Sequence, residues 1–151
     1  MSVTALSLRQ PWAHVVLHMG KALENRRWDT SFRGDFLIHA SKGLTKADYY
    51  DCLETCQHVL GSQILSTFPP LKALPRGGIV GAARLVSVLP RCPHWPCEHP
   101  WHMPDPDKPP LTQFGFMLEN IRPAPRFVPC TGHLGFFRVP DEVVAQLRGT
   151  S

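Results

Sequence analysis

The chain has 151 residues, 43% hydrophobic and 19% charged, which fits one globular domain (1–151) with a real core and excludes a disordered or fibrous chain. A net charge of +4 is a mild excess that suits a polyanionic partner without requiring one. No apolar run approaches the ~20 residues of a membrane span, Arg9 interrupts the first apolar stretch so that no secretory signal is read, and the five cysteines suggest no disulfide framework; reduced thiols in a cytoplasmic monomer that touches no membrane are expected.

Sixteen prolines against eleven glycines place much of the chain in strand edges, turns and loops, since helix interiors reject proline. Residues 3–8 read as a first strand. Pro11 suits the first turn of a helix, with Trp12, Val15, Val16 and Met19 at helical spacing and Gly20 as its stop. Residues 22–28 and 34–40 read as strands. Residues 46–60 read as a helix with Tyr49, Leu53, Cys56 and Leu60 as its buried stripe. The stretch 64–75, with three prolines, is expected to be irregular. Residues 78–89 form an apolar run suited to a buried strand, 90–110 a long loop rich in proline, histidine and tryptophan, 114–118 and 134–139 two further strands, and 141–147 a last helix. Short strands that mostly do not alternate with helices suggest an α+β fold with a small mixed, barrel-like sheet and flanking helices.

On the strand after Gly20, alternation puts Glu24 and Arg26 on one face. A carboxylate can fix the forked donors of Arg26 for a phosphate or a base edge; the plainer reading is a structural ion pair at a barrel rim. Lys21 follows a helix C-terminus, whose negative dipole end favours its ammonium and suits phosphate or oxyanion binding. Arg9 and Gln10 carry donors that could reach a base or phosphate, Trp28 and Phe114 could stack on a base, though core packing is the commoner use of such rings, and His39 and Ser41 end a strand beside these groups.

Cys92, His94, Cys97, His99 and His102 crowd one segment, and a structural zinc on Cys92, Cys97, His99 and His102 would staple the long loop. The spacing is not that of a standard finger, and a proline-rich surface loop is the plainer reading.

Leu6 to Ala13, the Gly-x-Lys-x-x-Glu-x-Arg-like run Gly20-Lys21-Ala22-Leu23-Glu24-Asn25-Arg26, the strand ending His39-Ala40-Ser41, and the segments Phe114 to Asn120 and Pro129 to Gly135 together resemble an ASCH domain of the PUA-like superfamily, over nearly the whole chain. The resemblance implies a PUA-like β-barrel whose motif residues line a basic cleft. It implies binding of RNA, DNA or a nucleobase, or hydrolysis of RNA or of an N4-acylcytidine, with Lys21 and Glu24 as catalytic residues and Arg26 as a ligand-binding one. His133 stands where relatives carry a longer basic residue. The amidohydrolase members are expected to use a threonine three residues after the lysine; Glu24 stands there instead, so an amide-cleaving version would use Glu24 as general acid/base and Lys21 to polarise the carbonyl. No cofactor is required; a ribonuclease version could recruit manganese or magnesium. A non-catalytic nucleic-acid-binding module, and a protein-binding domain that uses the 90–110 loop, are the alternatives.

Overall fold

The computed structural model describes residues 2–149. Its strands are β1 (Thr4–Leu8), β2 (Leu23–Arg26), β3 (Gly34–Ala40), β4 (Gly78–Leu89), β5 (Phe114–Pro129) and β6 (Phe136–Arg138). Its helices are α1 (Trp12–His18), α2 (Lys46–Leu60) and α3 (Asp141–Arg148). The stretch expected to be irregular holds two 3-10 turns, Ser62–Ser66 and Leu71–Ala73.

The strands form one curled half-barrel in the order β2-β5-β4-β3-β1-β6, an α+β PUA-like fold. β1 runs parallel to β3 and every other pairing is antiparallel. The sheet curls around Leu6, Phe36, Ile38, Leu85 and Phe116, with Trp28 and Phe136 packed against Phe116 edge-on and in parallel, respectively. Losing a ring such as that of Phe116 typically costs about 3–5 kcal/mol. α3 closes one end through Val143, against Ile79, Val128 and Phe137. The other end is closed by α2 and the long loop, where Cys52, Cys56, Ile64 and Trp101 pack on Val15 and Leu23.

Four expectations are corrected. β5 runs on to Pro129 rather than stopping at Leu118. β2 pairs with it only as far as Met117, so its later half is an edge, where Pro123 and Pro125 forfeit no ladder bond on the open side. β6 begins at Phe136, and Leu134, expected within it, is 99% exposed. Cys92 and Cys97, expected as reduced thiols, are joined in a disulfide whose Cα atoms lie 6.7 Å apart; only five positions separate them along the loop. On α2 the buried positions are Tyr49, Cys52 and Cys56, so the stripe is rotated towards Cys52, with Leu53 and Leu60 on its flanks.

The 90–110 loop is stitched down. Asn25 donates to Trp101 O at 2.9 Å and accepts from Met103 N at 2.9 Å. Asp105 takes Arg91 at 2.8 Å and Arg27 at 3.6 Å, and Arg27 also pairs with Asp107. No described helix is long and apolar enough to cross a membrane.

Candidate functional site

The chain leaves α1 through Gly20, whose φ of +80° only glycine adopts without strain, and this turn sends Lys21 inwards ahead of β2. The Lys21 side chain is 2% exposed, with Nζ donating to Leu23 O at 2.5 Å and lying 3.6 Å from Glu24 Oε1. The ammonium also sits 5.0 Å from the centre of the Trp12 ring. The second Glu24 oxygen is 3.2 Å from Arg26 Nε, as strand alternation requires. Arg26 Nη2 donates to the Ser7 carbonyl oxygen of β1, and the guanidinium lies 6.0 Å from the Trp28 ring. One buried carboxylate therefore bridges two cations. Burial is the largest influence on Lys21 and pushes its pKa down, with Glu24 opposing it. Lys21 does follow the end of α1, but its ammonium is held by Leu23 and Glu24, and the cost of burial works against its charge.

These groups border a cleft of about 660 Å³. Of the residues singled out in the sequence, Arg9, Gln10, Lys21, Glu24, Arg26, Ser41 and His133 line it. Gln10 is largely committed to structure, donating to Pro75 O at 2.9 Å and accepting from His14 N at 3.1 Å. His39 faces an adjoining side cavity of about 450 Å³. Trp28 and Phe114 line neither; both pack against the barrel core, and Arg91 covers the Phe114 ring at 5.0 Å.

The cleft is of mixed charge rather than simply basic. Arg9, Lys21, Arg26 and Arg27 are answered by Glu24, Asp48 and Asp51. Arg9 is tied to Asp48 at 3.5 Å. Asp48 is placed there by the capping box of α2, in which Thr45 Oγ1 accepts from Asp48 N at 3.0 Å and Asp48 accepts from Thr45 N at 3.3 Å.

Sequence reasoning missed Ser7, Asn25, Gln113 and Met103 as cleft residues, and Trp12, on the apolar face of α1, both packs against the core and lines the cleft. Trp12 carried a signal, since it stands beside Gln10 in the same helix-starting corner. Gln113 and Met103 carried none, because the folding of the long loop alone brings them in.

The candidate zinc ligands are engaged elsewhere. Cys92 and Cys97 are bonded to each other, His99 Nδ1 accepts from Trp101 N at 3.2 Å, and His102 Nε2 donates to Gln113 O at 2.6 Å. Among the described residues no group of three or more His, Cys, Asp or Glu side chains could hold a metal ion. These residues do not fit a structural zinc.

Comparison with curated proteins returns no match. The ASCH domain family, generally linked to RNA binding, matches residues 6–104, which carry the Gly20–Arg26 motif, most of β1 and all of β2, β3 and β4; β5 and β6 lie beyond the match but complete the same sheet. With 6–104 matched out of 151 residues, the chain belongs to the ASCH domain family.

Proposed function

We propose that the cleft recognises a nucleobase, presented as a nucleoside or as an unstacked base of single-stranded RNA. The observation that carries this is the convergence of Lys21, Glu24 and Arg26 on one cleft of about 660 Å³, a size that suits a small planar ligand. Its mixture of donors and acceptors matches the edge of a base better than a run of phosphates, for which a uniformly positive groove is expected. Trp12 and Met103 offer apolar contact on the cleft walls, while Asn25 and Gln113 add amides. Titration with nucleosides and short oligoribonucleotides tests the reading. Binding should weaken about tenfold or more in Arg26→Ala and Glu24→Gln, as expected when a buried polar partner is lost, with a shallow dependence on salt because few phosphates are neutralised. Binding indifferent to both substitutions overturns it.

A second reading, hydrolysis of an acyl amide on a base, is favoured by the ion pair of Lys21 with Glu24 at 3.6 Å. Glu24 would move the proton and Lys21 would stabilise the oxyanion. Incubation with N4-acylcytidines tests it, with product expected from the wild type and none from Lys21→Ala.

A further inference from the structure

Ser7 and His39 face each other across the parallel pairing of β1 and β3. Ser7 Oγ is 2.8 Å from His39 Nδ1, and His39 Nε2 is 2.6 Å from the Cys130 carbonyl oxygen. A carbonyl oxygen can only accept, so Nε2 carries the ring hydrogen and Nδ1 of the neutral ring is a bare acceptor for the Ser7 hydroxyl. The imidazole is 2% exposed. Burial is the main cause holding its pKa below the ordinary value, and the Cys130 bond works the other way. The ring is thus kept in the neutral form that a base requires.

A hydroxyl, a base and a third group that orients the base are the parts of nucleophilic acyl transfer. Here a backbone carbonyl does the orienting. Ser7 also stands where substrate could reach it. Together with Ser41, His133 and Leu134 it lines both the main cleft and the side cavity of about 450 Å³, so it marks their junction. The backbone at Gly132 closes in on the pair: a β-carbon there would lie 2.6 Å from His39 Cε1 and 2.9 Å from Ser7 Oγ. Glycine at this position keeps the serine from being capped by a side chain.

We propose that Ser7 is a nucleophile activated by His39, and that the chain cleaves a carboxylic ester or acyl amide whose acyl group enters the side cavity. Ser7 Oγ attacks the carbonyl carbon while its proton passes to His39 Nδ1. The tetrahedral adduct collapses and expels the alcohol or amine, which takes that proton from Nδ1. Water then gives a proton to Nδ1 as it attacks the acyl-serine ester. The carboxylic acid leaves, and the proton returns to Ser7 Oγ. None of these steps uses Lys21 or Glu24, so the activity stands or falls apart from nucleobase recognition.

The test treats the full chain with diisopropyl fluorophosphate and, separately, with p-nitrophenyl acetate, followed by peptide mass mapping. A single phosphoryl adduct at Ser7 is expected, together with ester turnover that falls about a hundredfold or more in Ser7→Ala and in His39→Gln. Because His39→Gln can unfold the chain, labelling of the wild type is repeated in urea, where loss of Ser7 reactivity shows that the folded pairing activates it. No adduct at Ser7, an equal adduct in urea, or ester turnover unchanged in Ser7→Ala overturns the proposal.

Discussion

Arg26 of β2 donates to the carbonyl oxygen of Ser7 in β1, and this bond spans the open side of the half-barrel, because β2 and β1 lie far apart in the strand order β2-β5-β4-β3-β1-β6. β6 pairs with β1 only as far as Leu6, so the Ser7 carbonyl lies just past the last rung of that ladder. The same arginine meets Glu24, which links the closure of the sheet to the floor of the cleft.

Arg26→Ala should therefore loosen the barrel as well as the cleft. A hydrogen bond from a charged donor contributes about 1.5–3 kcal/mol, and its loss should appear as a lower urea midpoint with little change in slope. Arg26→Lys should recover only part of this, because one ammonium cannot serve both Glu24 and Ser7 in the way the guanidinium fork does.

Glu24→Gln removes the carboxylate shared by two cations. Lys21, buried and left without its counter-charge, should make the variant about 3–5 kcal/mol less stable. In the double variant Lys21→Met/Glu24→Gln the loss should be smaller than the sum of the two single losses, since the unpaired buried charge is gone. A double-mutant cycle by urea unfolding measures the coupling.

Lys21 also makes stability depend on pH in a defined direction. Its pKa is lowered in the folded chain, so the unfolded chain binds the proton more tightly. The stability of wild type relative to Lys21→Met should be flat below the lowered value. It should then rise with pH up to the ordinary lysine value near ~10.4, where the unfolded chain also loses its proton. Unfolding of both proteins at a series of pH values from neutral upwards checks the sign.

Asn25→Ala should free the long loop. The side chain bonds the backbone at both Trp101 and Met103, so its removal should speed amide exchange and proteolysis in 99–105 while β4 and β5 stay protected. Because Met103 lines the cleft, ligand affinity should fall as well.

The elements were legible where the code is local. The periodicity of α1 and α2, the glycine stop after α1, the apolar run of β4 and the alternation of Glu24 with Arg26 all depend on residues a few positions apart. β5 was read too short because its prolines look like breakers until the missing neighbour on one side is known. The Cys92–Cys97 disulfide and the Cys/His-rich loop misled for a related reason: good metal ligands in one segment say nothing about where their lone pairs point.

By itself, the sequence determined the α+β class, the ASCH family and the identity of the three charged groups at the cleft. Only the tertiary structure decided that Lys21 is buried, that the cleft is mixed in charge, that Trp28 and Phe114 belong to the core, and that Ser7 meets both Arg26 and His39. Those outcomes depend on desolvation and on contacts between distant segments, which arise when the sheet curls and α2 and the long loop fold over its end; no local pattern encodes how much water a side chain loses in that step.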